Sequence, residues 1–467
     1  MTPEEFREHA HRAVDWMADY LAEVGRRRIV PEVAPGAIAR ALPDAPPEHG
    51  EPFERLFGDF ERLIVPGMTH WNHPGWFAYF AANNSPPSIL GEMLASAIGA
   101  QCMSWQTSPA ATELEQVTMR WLARMLALPD GFTGVIQDTG STSTLVALIC
   151  ARERAAPRAG GSAAGLRVYG SAEAHSSVPK GVRLAGYGPD GYRTIPTDRC
   201  YAMRPDALAN ALAADRAAGY LPACVVATIG TTSSTAIDPL RAIGEICRAQ
   251  DVWLHVDAAW AGSAAIVPEL RWMLDGIEHA DSMFFNPHKW LLTNFDCSAY
   301  FVRDVDALLH AFAVTPEYLR TAHDAEVVNY RDWGIQLGRR FRALKLWFVL
   351  RSYGVEGLRE MIRGHVALAR EFAGWVAAEP DFELLAPAPV GLVCFRHRPA
   401  AVAADERALE AHNRALLARV NASGRVFLTH TSLDGRFTIR LAVGQRCTGR
   451  EHVEEAWRLV KEAAGVV

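Results

Sequence analysis

A lysine set among aromatic and apolar residues is the first group in this chain with the makings of a nucleophile. Asn286-Pro287-His288-Lys289-Trp290 follows directly on the apolar run 282–285. Burial there disfavours an ammonium, lowers its pKa and exposes an amine able to attack a carbonyl. An isolated lysine would more simply snorkel to solvent, but the chain otherwise chooses arginine. Of 47 basic residues only Lys180, Lys289, Lys345 and Lys461 are lysines.

Three further constellations complement that amine. His255-Val256-Asp257-Ala258-Ala259-Trp260 closes another apolar run. A carboxylate there can keep a ring nitrogen protonated, and the alanines leave room for a flat ring. Gln137-Asp138-Thr139-Gly140-Ser141-Thr142-Ser143 precedes a helical stretch at 144–151, offering hydroxyls and backbone N–H groups to a phosphate. It lacks the residues of GxxxxGK[ST] and GxGxxG, which argues against ATP and dinucleotides. Gly230-Thr231-Thr232-Ser233-Ser234 adds polar contacts, and His175 in Ala174-His175-Ser176-Ser177 can stack on an aromatic ring or face a carboxylate.

Strand-like runs at 166–169, 224–228, 252–256 and 282–285 must position these groups, each leading straight into one of the motifs or, at 166–169, toward His175. Strands alternating with helical stretches predict an α/β fold with a mainly parallel sheet, whose ligands collect at the strand ends. Thr2-Pro3-Glu4-Glu5 starts a helix with a capping box and an apolar stripe at Phe6, Ala10, Val14, Met17, Leu21 and Val24. That stripe must be covered, by a partner subunit or by the chain itself. Beyond about residue 350 a helix, strands at 391–396 and 437–443 and a closing helix predict a small α+β domain. The expected division is an N-terminal helical segment (1–85), a large α/β domain (86–346) and the C-terminal domain (347–467).

The bulk numbers exclude several classes. With 467 residues, 49% hydrophobic, 21% charged and a net charge of −6, the chain is globular and poorly suited to nucleic acid or an anionic membrane surface. Eight scattered cysteines without a CxxC pair suit free thiols in a cytoplasmic protein. No signal-peptide core or membrane-length apolar run is expected. No metal site is expected either, since His9 and His11 do not share a helix face and His70 and His73 lack a cluster of further ligands.

Taken together, Asn286–Trp290, His255-Val256-Asp257-Ala258-Ala259, Ala174-His175-Ser176-Ser177-Val178, Thr69-His70-Trp71, the stretch 337–346 (LGRRFRALKL) and 391–396 resemble the group II pyridoxal-phosphate decarboxylases. Within them the chain is similar to the aromatic-L-amino-acid decarboxylase family, as a bacterial-type member, over nearly its whole length. The resemblance implies a fold-type I, aminotransferase-like PLP-dependent transferase architecture and a homodimer with active sites at the subunit interface. It implies that Lys289 holds pyridoxal 5'-phosphate as a Schiff base, that Asp257 pairs with the ring nitrogen, that Ala259 lies close to the ring and that His175 stacks on it. It further implies that His288 contacts the cofactor and that Thr139, Gly140, Ser141 and Asn286 hold the phosphate, with Thr232 nearby.

Tyr330, in the polar segment 321–333, resembles a proton donor on a mobile catalytic loop that in relatives reaches the partner's site, so the resemblance implies that Tyr330→Phe would replace amine by aldehyde. Trp71, Tyr79, Phe80, Ala82, Gln101, Met103 and Gly391 match the aromatic substrate pocket. Ala81-Ala82 stand where animal members carry Pro-Thr, Gln101 and Met103 replace bulkier residues, and Thr139-Gly140 replaces Ser-Ala. Gly391 goes with indole substrates in plant relatives. Tryptophan, phenylalanine, tyrosine and dihydroxyphenylalanine all stay open. The alternatives are an aromatic aldehyde synthase, a decarboxylase of a non-aromatic amino acid, an aminotransferase, or a non-catalytic scaffold that has kept the fold.

Overall fold

The computed structural model describes residues 1–314, 316–319, 323–324 and 326–465. Among these, seven strands form the central sheet: β1 (Thr133–Gln137), β2 (Leu166–Ser171), β3 (Tyr192–Ile195), β4 (Leu221–Thr228), β5 (Trp253–Asp257), β6 (Ser282–Phe285) and β7 (Ser298–Val302). Their order is β1-β7-β6-β5-β4-β2-β3. Strands β2 to β6 pair in parallel, and β7 runs antiparallel to both β1 and β6. The fold is α/β, of fold type I.

Every residue of β5, β6 and β7 is buried, as strands covered on both faces require. Successive residues Trp253 and Leu254 enter apolar clusters on opposite sides of the sheet. Because β1, β2, β4, β5 and β6 run the same way, Gln137, Ser171, Thr228, Asp257 and Phe285 end at one edge. That shared edge brings residues far apart in sequence to one place.

A second, antiparallel sheet has the order β10-β11-β9-β8 and is built from β8 (Phe382–Leu384), β9 (Leu392–His397), β10 (Thr429–Leu433) and β11 (Arg436–Ala442). Phe372, Phe395, Ile439 and Trp457 fill the core between this sheet and its helices. The long helix Arg342–Ala378 links the two sheets and is kinked at Gly354, where φ is +66°.

The four expected central strands all form, 282–285 with the expected ends and the others with ends shifted by up to three residues. Strands β1, β3, β7, β8 and β10 were not expected. Tyr192–Ile195 is a half-exposed edge that carries no apolar signal, and Ser298–Val302 follows β6 too closely to read as a separate element of a parallel sheet. At the N-terminus the capping box forms as expected, with Glu5 N–H donating to Thr2 Oγ1 (3.2 Å) and Thr2 N–H to Glu5 Oε2 (2.7 Å). The helix Pro3–Glu23 touches its own chain through His9 on Phe53 and Trp16 on Phe60. It buries none of its residues, and Phe6 stays 61% exposed.

Candidate active site

The strand ends enclose a cavity of about 170 Å³. Lys289 reaches it from the one-turn helix Pro287–Trp290, which begins immediately after β6. The turn is held on every side. Lys289 N–H donates to Asn286 O (2.9 Å), and Asn83 Nδ2 donates to Lys289 O (2.6 Å). Trp290 stacks on Trp260 at 4.0 Å and donates its indole N–H to His365 Nδ1 (2.9 Å). Burial pulls the Lys289 ammonium below its ordinary pKa, and the Asp257 carboxylate offsets only part of that shift.

Asp257 is the last residue of β5 and lines the same cavity. Burial raises its carboxyl above the usual range, while the Ala259 N–H at 3.1 Å, His175 and Lys289 pull the other way. His175 follows β2 and also lines the cavity. Burial lowers its pKa, against Asp257 and together with Lys289. Its Nδ1 accepts the Ser177 N–H at 3.2 Å, which leaves the proton of the neutral ring on Nε2. His288 is buried, accepts the Cys297 N–H on Nδ1 at 2.9 Å, and is pushed down to about 3 by burial and by Lys289.

The far wall is the N-terminus of the helix Gly140–Ala155. Thr139 is its N-cap, and Gly140 and Ser141 occupy its first turn, where N–H groups have no partner within the helix. The helix therefore starts before the expected 144–151, placing Gly140 and Ser141 inside it. A Cβ at Gly140 would lie 2.6 Å from the Phe284 ring and 3.1 Å from Asn286 Nδ2, so glycine is what lets the backbone approach. Asp138 fixes this corner without lining the cavity. Burial works to raise its carboxyl, but hydrogen bonds from Thr142, Gln336 and Thr139 outweigh that and hold it low.

This donor set fits pyridoxal phosphate. A free helix N-terminus, the hydroxyls of Ser141, Thr228 and Thr232, an amine and a carboxylate line the one cavity, with Thr228 paired in register with Asp257. Thr228 Oγ1 and Asn286 Oδ1 are buried there with no hydrogen-bond partner among the described residues, which leaves polar groups for a ligand to satisfy. Ala259 lines the cavity as well. Sequence reasoning overlooked Asn83, Thr228 and Ser177. Asn83 looked like loop ahead of the Ser85-Pro86 helix start, although it is 1% exposed and bridges Lys289 O and Gly444 O.

The expected substrate residues are not brought together to the same degree. Phe80 lines the cavity, stacked on Trp260 at 4.2 Å. Gly391 lies behind that wall, where a Cβ would meet Trp260 at 2.9 Å and Trp290 at 3.1 Å. Trp71 and Ala82 line a separate hollow of about 330 Å³. Tyr79 is 52% exposed, Gln101 accepts the Arg339 N–H on Oε1 (2.9 Å), and Met103 accepts the Arg331 N–H on its carbonyl (2.8 Å). None of these five lines the Lys289 cavity of one chain.

Tyr330 is placed outside the cavity of its own chain. Thr321, Ala322 and Ala325 of the expected loop lie outside the described residues, but Tyr330 is 3% exposed in the turn Tyr330–Asp332 and does not line the cavity. The Arg339 guanidinium lies 4.7 Å from its ring centroid, and Trp333 meets it edge-on at 5.3 Å. Arg339 is itself paired with buried Glu115 at 2.7 Å. Val327, Val328 and Trp333 were the available signal, since they mark an anchored end rather than the tip of a polar loop.

A model of the pyridoxal-dependent decarboxylase conserved domain matches residues 35–398. Phenylacetaldehyde synthase of Arabidopsis thaliana is 45% identical, over 99% of this chain and 96% of its own length. Tyrosine decarboxylase 2 of Narcissus pseudonarcissus is 43% identical, over 100% of this chain and 95% of its own. A crystal structure of Oryza sativa TDC with PLP and tryptamine superposes with a TM-score of 0.97 at 41% identity, covering 100% of this chain and 98% of that one. These relatives are plant proteins, which gives the bacterial-type expectation no support.

Proposed function

This chain belongs to the pyridoxal-dependent decarboxylases, and we propose that it converts an aromatic L-amino acid to the corresponding arylalkylamine and carbon dioxide. The observation that carries this reading is the meeting of Lys289, Asp257 and the Gly140 helix N-terminus in one cavity walled by Phe80. Lys289 would hold the aldehyde of pyridoxal phosphate, and Asp257 a proton on its ring nitrogen. Ala259 and His175 would flank the ring, with His288 behind. Thr139, Gly140, Ser141, Asn286 and Thr232 would hold the phosphate. When bound, the cofactor supplies an electron sink for the pair left behind as carbon dioxide departs.

The chain's own residues prepare that step. The lowered pKa of Lys289 raises the fraction of free amine near neutral pH. Nε2–H of neutral His175 can donate to a substrate carboxylate. Phe80 and Trp260 exclude water and offer an apolar wall to an aromatic side chain. Among the described lining residues the only basic groups are Lys289 and two histidines, which disfavours an acidic substrate side chain.

The unburied apolar stripe of Pro3–Glu23, with Phe6 facing a hollow of about 620 Å³, supports a homodimer. A second copy would bring Trp71, Tyr79, Ala82, Gln101 and Met103 toward the cavities. Among the described residues no helix is long and apolar enough to cross a membrane, and the free cysteines fit a reducing cytoplasm.

An aldehyde-forming outcome is the second reading, because a relative at 45% identity is named phenylacetaldehyde synthase, although a tyrosine at position 330 argues for plain decarboxylation. One experiment separates the cases. The purified chain with pyridoxal phosphate is given tryptophan, tyrosine, phenylalanine and dihydroxyphenylalanine while amine, aldehyde and peroxide are quantified, and its mass is measured in solution. Amine without peroxide is expected. Aldehyde with stoichiometric peroxide would select the second reading, inertness towards all four would refute both, and a single-copy mass would remove the partner.

A further inference from the structure

Arg440 lies on β11, outside the cavity, with 3% of its surface exposed. Among the described residues no carboxylate comes within ion-pairing distance of it. A guanidinium buried without an acid is retained only if neutral acceptors satisfy it. Its Nη2 donates to Thr232 O (2.6 Å) and its Nε to Ser233 O (3.1 Å). Both are carbonyls of the loop after β4 that presents Thr232 to the cavity. Nη1 donates to Thr429 Oγ1 (3.0 Å), which also accepts the Tyr79 N–H (3.3 Å).

Tyr79 has φ of +53°, a left-handed conformation that an aromatic residue adopts only when its surroundings hold it there. That turn leaves Tyr79 outside and sends Phe80 into the cavity. The Arg440 guanidinium then lies 5.4 Å from the Phe80 ring centroid. Thr431 and Cys394 reinforce the same junction through hydrogen bonds to Ser233.

We propose that Arg440 is a positioning residue that fixes the Thr232–Ser233 loop and the Tyr79–Phe80 turn as one unit. One side chain of the C-terminal sheet thereby sets both the cofactor wall and the substrate wall of a cavity it does not enter. The proposal rests on the cavity being the pyridoxal phosphate site.

The test compares full-length Arg440→Met, Arg440→Lys and Thr429→Val with the wild type. The readouts are pyridoxal phosphate titration by fluorescence quenching, and KM and kcat for the best aromatic substrate. For Arg440→Met, unsatisfied buried carbonyls should raise the cofactor Kd and the KM about tenfold each, with kcat at saturation within about threefold. Arg440→Lys should recover part of both, because an ammonium still donates to the two carbonyls. Thr429→Val should raise KM more than the cofactor Kd, since the Tyr79 N–H and Arg440 Nη1 lose their acceptor while the Thr232 and Ser233 carbonyls keep their donors. A lower melting temperature and a smaller active fraction, with Kd and KM unchanged in what remains, would overturn the proposal. Should Arg440→Met fail to fold, Thr429→Val with unchanged KM would overturn it equally. A wild type that binds no cofactor would instead remove the underlying reading.

Discussion

Asp257 and Lys289 stand at the ends of neighbouring parallel strands, so the register of the sheet places them and one chain completes that side of the cavity. The residues expected to recognise substrate lie on irregular chain. Tyr79 is 52% exposed and Trp71 37%, and Gln101 and Met103 are tied to the 331–339 segment instead. Buried strands have one register that keeps their apolar faces inside, whereas loops take their final form from whatever packs on them. The chemistry of the cofactor side is therefore intrinsic to the single chain, and the choice of substrate depends on what covers it.

The largest effect should come from the intrinsic side. Lys289→Ala removes the amine but leaves β6, Asn286 and the Trp260–Trp290 stack in place. Decarboxylation should fall about a thousandfold or more with the melting temperature nearly unchanged. Retention of more than about a tenth of the wild-type rate would mean that a different group holds the cofactor, and the comparison would lose its fixed half.

A smaller effect should come where the two halves touch. A methyl at Gly391 would lie 2.6 Å from Val443 O and within 3.1 Å of both Trp260 and Trp290. Something must yield, at about 1–3 kcal/mol, and displacement of Trp260 toward Phe80 narrows the cavity. For Gly391→Ala, kcat/KM for tryptophan should drop about tenfold relative to tyrosine. Equal losses on both substrates would show that the stack is scaffolding and does not gauge ring size.

What the sequence disclosed follows the same division. Asp257 and Lys289 were legible because each follows an expected apolar run, and a parallel sheet gathers such ends at one edge, whereas the Thr139–Ser141 turn was legible from its glycine and hydroxyls ahead of a helix. The N-terminal capping box was legible because its bonds are local. Arg440 and Asn83 were not, because nothing near them in sequence announces partners more than 200 residues away. The burial of Tyr330 was not legible for a related reason. A polar stretch reads as a loop whichever of its residues is anchored, and the anchor here is Arg339 with Glu115, a pair 224 residues apart.

Tyr330 gives the finest test, because its two readings predict opposite products. Were it a proton donor, Tyr330→Phe would turn the enzyme from amine to aldehyde. Its ring lies against Arg339 and Trp333, 3% exposed, and burial raises its hydroxyl pKa well above the ordinary value, so the phenol holds the proton that a donor must carry. Phenylalanine preserves the ring and its contact with the guanidinium. Tyr330→Phe should therefore change stability by about 1 kcal/mol or less, so a shift of product from amine to aldehyde would report the lost hydroxyl and not a damaged fold. Tyr330→Ala removes the ring, and the cavity left beside the Glu115–Arg339 pair should cost about 3–5 kcal/mol. A clean switch to aldehyde and peroxide in Tyr330→Phe, with stability intact, would mean that Tyr330 serves a cavity other than that of its own chain, as on a second copy. Tyr330 would then belong with the substrate residues, which act only once a second copy is in place.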